Sequence, residues 1–439
     1  MFRRRNIELF TLIFGDIVAM IAALWLSLGL RNSRAPSAPI FYEHLTVFIP
    51  IFILWILGFI VYNLYGKRTV AFERDLALNL FKAQLFNSGI AAVIFYLIPQ
   101  VGIAPKTILF MDLFLSFIFL LVWRTLLSPT FDSRKTEQVL LLGDSPEAHE
   151  LSNELTLNPR YGIKIYRERA VNRDNIYRTL NSDSFSSVIF DFRNSIERGV
   201  LSDLGIVSLI NLRFVDINKL YEDIFDRVPL SLVRDDWFFG NLSKRNMSYD
   251  MLKRLIDIIL AMLIGIVSLI FYPLVYIAIK IEDKGEVFIL QERIGKDNKL
   301  IKLLKFRTMT VNDSGVWAKQ GNDSRVTKVG RFLRASRIDE LPQIWSVLRG
   351  ELSLIGPRPD IIDLGKKLAL DIPYYTVRNI IKPGLSGWAQ INQDSPPRSL
   401  EETKERLSYD FYYLKHRSFW LDLRIVLRTV KTLLSRSGL

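Results

Sequence analysis

Apolar and polar positions divide the chain into three stretches. The first holds four apolar segments, Leu9–Leu30, Thr46–Tyr65, Leu76–Ile98 and Thr107–Leu127. Each has about 20 residues, the length a helix needs to cross a bilayer core. Asp16 interrupts the first segment, and Asp112 lies in the fourth. The third is weaker, broken by Asn79, Lys82, Gln84 and Asn87. The pattern predicts a four-helix transmembrane bundle over residues 1–130. From Glu137 to about Asp235 the character changes. Short apolar runs at Gln138–Leu142, Ser187–Phe192, Ile206–Leu212 and Phe214–Ile217 alternate with charged, helical stretches. That alternation predicts a small parallel sheet flanked by helices, a Rossmann-like α/β middle domain that with its linker spans 131–247. The third stretch, 248–439, opens on the 25-residue apolar run Leu255–Ile279, with Pro273 inside it.

Basic residues orient the membrane segments. Arg3, Arg4 and Arg5 precede the first, and Lys67, Arg68 and Arg74 fill the link between the second and third. The positive-inside rule then places the N-terminus in the cytoplasm. Four spans would return the chain there. Asp16 and Asp112 are either functional or polar contacts between helices. The run Leu255–Ile279 is long enough to span, but proline removes a backbone bond and bends a helix. A kinked spanning helix and a helix bent back to one face both fit.

The first turn of the middle domain reads GDSPEA from Gly143. A dinucleotide fingerprint would have further glycines there, letting the backbone approach a pyrophosphate. A scaffold or sensing role is the expectation for this domain.

Composition narrows the chemistry. The 439 residues include no Cys, which excludes disulfides, thiolate metal sites and a cysteine nucleophile. The three histidines, His44, His149 and His416, are far apart, which excludes a HExxH site. Any metal would be a hard cation held by carboxylates and phosphates. Mean hydropathy is +0.19, and the formal net charge is +13. From Ser248 onward there are 31 Lys+Arg against 21 Asp+Glu, so most of the excess lies in the last stretch. An anionic partner belongs there.

That stretch carries dense polar clusters. Gln291-Glu292-Arg293-Ile294-Gly295 precedes Lys305-Phe306-Arg307-Thr308-Met309. Arg325, Lys328, Arg331, Arg334 and Arg337 lead into Asp339-Glu340-Leu341-Pro342-Gln343. Gly356-Pro357-Arg358-Pro359 and Lys382-Pro383-Gly384 follow. Singly, such clusters read as solvated helix faces, and Ser336–Asp339 as a capping box. Together they set one acidic pair among many cations, beside a membrane element. In the helix Ser418–Ser435, Phe419, Trp420, Leu423 and Leu427 share a face, while Arg424, Arg428 and Lys431 crowd the other. That pattern fits an interfacial helix or packing on the domain's own core.

Taken in order, KRLID, QERIG, KFRTM, GRFLRASRIDELPQIWSVLRGELSLIGPRP, KPGLSGWAQ and YDFYYLKHRSFWLDLRIVLRTV cover nearly all of Ser248–Leu439. This stretch resembles the bacterial sugar transferase domain of monotopic phosphoglycosyl transferases. With its membrane and α/β preamble, the chain is similar to the large subclass, the polyprenyl-phosphate hexose-1-phosphate transferases. The resemblance implies transfer of a sugar-1-phosphate from a UDP-sugar to undecaprenyl phosphate, releasing UMP, with Mg²⁺ as cofactor. It implies a re-entrant helix with its break at Pro273. By the same resemblance Asp339 is the nucleophile of a phosphosugar-enzyme intermediate, and Glu340 binds or orients Mg²⁺. The substrate-binding positions it implies are Lys305, Arg307, Arg334, Pro357, Arg358 and Pro359, with Arg325 and Gln343 weaker matches. A Ser-Pro pair often marks the helix break in this family, whereas here Tyr272 precedes Pro273.

The chemistry suits that inventory. An aspartate with an ordinary pKa of about 3.9 is ionised at neutral pH. A lipid phosphate is ionised too, so neither step demands a general base. Charge neutralisation is the need, which cations meet. The competing readings are a membrane-bound nucleotide-sugar dehydratase and an inactive membrane scaffold. The expected setting is the cytoplasmic face of the bacterial inner membrane, as a homodimer or higher homo-oligomer, with no nucleic-acid partner, initiating polysaccharide or O-antigen assembly.

Overall fold

The computed structural model describes residues 2–62, 64–65, 76–97, 105–132, 137–158, 161–168, 185–190, 213–242, 247–282, 284–310, 325–393 and 395–435. The basic link at Lys67, Arg68 and Arg74 and the expected strand at 206–212 lie outside them, as does the end of the run 187–192. So do the side chains of Arg3, Arg4 and Arg5. The chain divides into two compact units, Met1–Asp216 and Ile217–Leu439.

The first unit begins with four helices: α1 (Phe2–Asn32), α2 (Ala38–Val61), α3 (Leu76–Leu97) and α4 (Pro105–Asp132). Among the described residues three apolar stretches here are long enough to cross a membrane, Leu9–Asn32, Ala38–Val61 and Thr107–Leu126. Helix α3 forms where expected and carries the polar residues Gln84 and Asn87. Those residues bond between helices. Asn87 and Trp55 exchange side-chain to backbone hydrogen bonds at 3.2 and 3.3 Å, and Gln84 donates to Ser116 at 2.8 Å. Asp16 is wholly buried and receives both Nε and Nη2 of Arg124, at 3.2 and 2.5 Å, and the Tyr65 hydroxyl at 2.7 Å. This is the polar-contact reading, with a cationic partner that the sequence pattern did not reveal. Asp112 is also buried, and neither carboxylate oxygen has a hydrogen-bond partner among the described residues.

The same unit holds four parallel strands, β1 (Glu137–Leu142), β2 (Ile163–Glu168), β3 (Ser187–Phe190) and β4 (Arg213–Asp216), in the order β2-β1-β3-β4. Helix α5 (Pro146–Leu157) follows β1, and Ser145 caps it by accepting from the Ala148 N–H at 3.1 Å. Arg167 reaches across the GDSPEA turn to Asp144 at 2.7 Å.

The second unit opens with α6 (Ile217–Phe225) and α7 (Asp235–Leu242). The sequence pattern assigned this segment to the middle domain, but it packs here. Val228, Val233 and Trp237 share a core with Leu368, Leu407, Phe411 and Leu414. Glu222 accepts from Lys415 at 2.8 Å and pairs with His416 at 3.2 Å.

Next come α8 (Met247–Ser268) and α9 (Phe271–Glu282), bent by 50° at Leu269–Ile270. The break thus precedes Pro273, which sits in the first turn of α9, where proline's missing N–H is harmless. Helix α8 buries a stripe of small and polar residues, Asp257, Ala261, Gly265 and Ser268. Its large apolar residues, among them Leu255, Leu263, Ile266 and Val267, are exposed. This inverts the pattern of a water-soluble helix, and it is what a lipid-facing helix requires.

The remaining elements are β5 (Phe288–Ile294), β6 (Leu300–Phe306), α10 (Lys328–Ser336), a 3₁₀ turn (Ile338–Gln343), α11 (Ile344–Arg349), β7 (Ser353–Ile355), α12 (Ile362–Asp371), β8 (Gly384–Ser386), α13 (Trp388–Asn392), α14 (Leu400–His416) and α15 (Phe419–Ser435). β5 and β6 form an antiparallel pair, β7 and β8 a parallel one. Helix α15 packs by Leu421 and Ile425, against Ile355, Trp388 and Tyr413, rather than by the predicted face. Arg428 lies over the Trp388 ring and donates to Asn392 at 2.9 Å, while Phe419 and Trp420 are exposed.

Candidate active site

Helix α10 ends at Arg337, whose left-handed φ of 57° turns the chain sharply into the 3₁₀ turn. That stop presents Asp339 and Glu340 against β6. Ser336 is no capping residue: it closes α10, with its hydroxyl donating to the carbonyls of Phe332 and Leu333.

Glu340 is clamped by two cations on one oxygen. Lys305 Nζ donates to its Oε1 at 3.2 Å and Arg358 Nη2 at 2.9 Å. Asp339 is 9% exposed, and its Oδ1 is buried with no hydrogen-bond partner. Gln343 Nε2, one turn on, is likewise buried without a partner. Gln343 lines a partly open cleft together with Lys305, Glu340, Arg358 and Pro359, and Asp339 directly precedes Glu340 in the same turn. Buried polar atoms without partners are rare, and here they mark where a ligand's own polar groups belong.

The two carboxyls differ in acidity. Burial, with the adjacent Glu340 charge, pushes the Asp339 carboxyl up to about 6, against the pull of Lys305, Arg334 and Arg337. Burial works on Glu340 as well, but Arg358, Lys305 and Arg337 outweigh it and hold that carboxyl far below the usual range. Burial lowers the Lys305 ammonium, with Glu340 opposing. Environments that separate two adjacent carboxylates in this way separate their roles. Glu340 is locked and ionised. Asp339 retains an unengaged oxygen.

The loop carrying Arg358 is held from behind. Arg378 Nη2 and Arg406 Nη2 each donate to the Arg358 carbonyl, both at 2.9 Å. Arg378 is itself buried between Asp410, at 2.8 Å from its Nε, and Asp360, which also accepts from the Tyr375 hydroxyl at 2.8 Å. Pro357 is buried, and its carbonyl accepts from Gly384 N at 2.9 Å. The two backbones approach so closely that a Cβ on Gly384 would lie 2.0 Å from Gly356 N. Only glycine fits there.

The structure therefore brings together Asp339, Glu340, Lys305, Gln343, Arg358 and Pro359. Arg334 supports the site from α10 by donating to Thr308 at 2.9 Å. The Arg307 guanidinium lies against Gly285, and Arg325 is joined through its carbonyl to Thr310 N at 2.9 Å. Neither of those two lines the cleft. The sequence reading did not select Arg293 and Leu385, which do line it, or Arg337, which acts on both carboxyls. The signal was available for Arg293, inside QERIG.

Among the described residues no group of three or more acidic, His or Cys side chains could hold a metal. Mg²⁺ does not need one, since it is commonly held by one or two carboxylates and completed by substrate phosphates and water. Glu340, whose Oε1 alone is held by Lys305 and Arg358, fits that arrangement through its other oxygen.

An acidic pair ringed by cations, in a unit with an outward-apolar hairpin, defines a site for an anionic ligand at a lipid surface. The comparisons with known proteins agree. A family profile described as bacterial sugar transferase matches residues 248–436. A UDP-N-acetylgalactosamine-undecaprenyl-phosphate N-acetylgalactosaminephosphotransferase of Aeromonas hydrophila is 35% identical over 265 residues, 59% of this chain and 61% of that protein. A UDP-glucose:undecaprenyl-phosphate glucose-1-phosphate transferase of Klebsiella pneumoniae is 32% identical over 314 residues, 67% of each. Another of that name, from Escherichia coli K12, is 42% identical over 183 residues, 41% of this chain and 39% of that protein. These matches span about two thirds or less of each relative's length. The chain belongs to the bacterial sugar transferase family, as a polyprenyl-phosphate hexose-1-phosphate transferase homologue.

Proposed function

We propose that this protein transfers a sugar-1-phosphate from a UDP-sugar to undecaprenyl phosphate through a phosphosugar on Asp339. The observation that carries this reading is the buried, unengaged Oδ1 of Asp339 beside a Glu340 already neutralised by Lys305 and Arg358. The names of its relatives, which act on undecaprenyl phosphate, support it.

An Asp339 oxygen attacks the phosphorus that bears the sugar. The bond from that phosphorus to the bridging oxygen breaks, and UMP leaves with the electron pair. An oxygen of undecaprenyl phosphate then attacks the same phosphorus, and Asp339 departs as carboxylate. One phosphoanhydride replaces another, and no proton need be removed from either nucleophile. Lys305 and Arg358 supply positive charge where an anionic carboxylate must approach an anionic diphosphate. Glu340 would hold Mg²⁺, and the ion would add charge neutralisation. With a carboxyl pKa of about 6, Asp339 is roughly nine-tenths ionised at pH 7. The covalent step separates a water-soluble donor from a lipid acceptor in time.

On this reading the hairpin α8–α9 is re-entrant, the site faces the cytoplasm at the inner membrane, and the product starts a surface polysaccharide. The relatives' names carry different sugars, so a panel of UDP-hexoses and UDP-N-acetylhexosamines assigns the donor. The deciding experiment gives the enzyme UDP-sugar without lipid. One UMP per active site should appear, and intact mass should rise by one sugar phosphate, mapped to the peptide holding Asp339. UMP that appears only with lipid present, and persists in Asp339→Asn, would replace this mechanism by direct attack.

A further inference from the structure

The break in the hairpin is joined to the turn bearing the acidic pair through one hydroxyl. Tyr272 lies in the first turn of α9, and its hydroxyl oxygen accepts from Trp345 Nε1 at 3.0 Å. Trp345 stands on α11, which directly follows the Ile338–Gln343 turn. The Tyr272 ring meets Phe306 edge-on at 5.0 Å and Phe288 at 5.9 Å. Phe306 is buried and follows Lys305, the residue that donates to Glu340. One side chain at the hairpin break thus touches both the helix that continues the acidic turn and the strand that carries its cation. Helix α8 reinforces the connection. Arg254 donates to the carbonyls of Val347 and Leu348 at 2.7 and 2.8 Å, and a Cβ on Gly265 would stand 3.5 Å from Ile344.

We propose that Tyr272 is a positioning residue: it ties the hairpin break to Trp345, so that the hairpin holds the Asp339-Glu340 turn against Lys305. A serine before Pro273 would carry its hydroxyl on Cβ, close to its own helix. The phenol carries its oxygen beyond the helix to a neighbouring element. The tie fixes the acidic turn relative to the one element that also contacts lipid, which matters for an enzyme whose acceptor arrives from the bilayer. A misplacement of about 1 Å between substrate and nucleophile can cost on the order of a hundredfold in rate.

The role rests on the transferase reading given above, and its test separates the two. The full chain is studied in nanodiscs as wild type, Tyr272→Phe, Trp345→Phe and the double variant. Tyr272→Phe keeps the ring on Phe306 and removes only the acceptor. In each single variant kcat should fall about three- to tenfold, with donor KM and melting temperature unchanged. The double variant should be no slower than the slower single, because both changes delete one interaction. Backbone hydrogen exchange over 338–345 should quicken in both single variants, while exchange over α9 stays as in wild type. Exchange needs no turnover, so it judges the tie even if the transferase reading fails. Losses that multiply in the double variant, or unchanged exchange over 338–345, would overturn the proposal. So would a lowered melting temperature with kcat per folded molecule intact, which would leave Tyr272 a packing residue only.

Discussion

Arg358 reaches Glu340 with one guanidinium nitrogen at 2.9 Å, and it does so on the oxygen that Lys305 also holds. Glu340 is therefore an ionised residue already satisfied on one side. Glu340→Gln removes the charge that both cations face. Turnover should fall at least a hundredfold, with partial recovery at raised Mg²⁺ if the second oxygen serves the metal. Rates measured across a Mg²⁺ titration check this, and recovery absent at every concentration would confine Glu340 to organising Lys305 and Arg358.

The raised Asp339 carboxyl has consequences for both rate and stability. The nucleophile must be ionised, so the donor-only UMP burst, measured without lipid, should accelerate as pH rises through about 6 and level off above it. For stability the sign is opposite. The fold disfavours the charged form, so this group's favourable contribution is complete below its unfolded value of about 3.8 and is lost as pH rises through about 6. Asp339→Asn should abolish activity. It should also stabilise the protein at pH 8, by on the order of 1–3 kcal/mol, a gain that vanishes near pH 4. Unfolding curves of both proteins at the two pH values decide it.

The arginines behind the cleft act through a backbone carbonyl. Arg406→Gln deletes one donor to the Arg358 carbonyl and the 3.5 Å ion pair to Asp360; it should raise donor KM several-fold and lower the melting temperature less than Arg378→Ala does. Arg378→Ala leaves Asp360 and Asp410 buried without their shared partner, which typically costs about 3–5 kcal/mol. That variant should lose folded protein before it loses rate per molecule. Parallel kinetic and thermal measurements distinguish the two outcomes.

In the membrane helices, Arg124→Leu strands the buried Asp16 carboxylate. The yield of monodisperse protein should drop sharply, and Asp16→Leu in addition should restore most of it, because the pair is a mutual necessity rather than a net source of stability. Size-exclusion profiles of the three variants provide the measurement. A double variant as poor as the single would mean that Arg124 has a further role through the Leu64 carbonyl it also bonds.

The middle domain should not bind NAD(P). Its first turn lacks the glycines that admit a pyrophosphate, and Arg167 lies across it, bonded to Asp144 and to the Gly143 carbonyl. Calorimetry on the full chain should show no binding at micromolar concentration, and a 1:1 complex would refute the scaffold role.

Contiguous features were legible in the chain itself. The apolar lengths of α1, α2 and α4 follow from local composition, as do the strand at Glu137–Leu142 and the acidic pair set beside its arginines. These are properties of neighbours in sequence. The tertiary structure decided what depends on distant residues meeting. Asp16 finds Arg124 at a separation of 108 residues, and Glu340 finds Lys305 at 35, and no spacing rule spans such gaps. Ile217–Leu242 reads as a continuation of the α/β pattern, yet Trp237 has its apolar partners in Phe411 and Leu407. Pro273 marks the hairpin bend in sequence, but the chain breaks at Leu269–Ile270, because a proline is accommodated in a helix's first turn and the bend forms just ahead of it. Periodicity told which residues of α15 could share a face. Only packing chose Leu421 and Ile425 as the buried one, because burial is settled by the shape of the surface a helix meets.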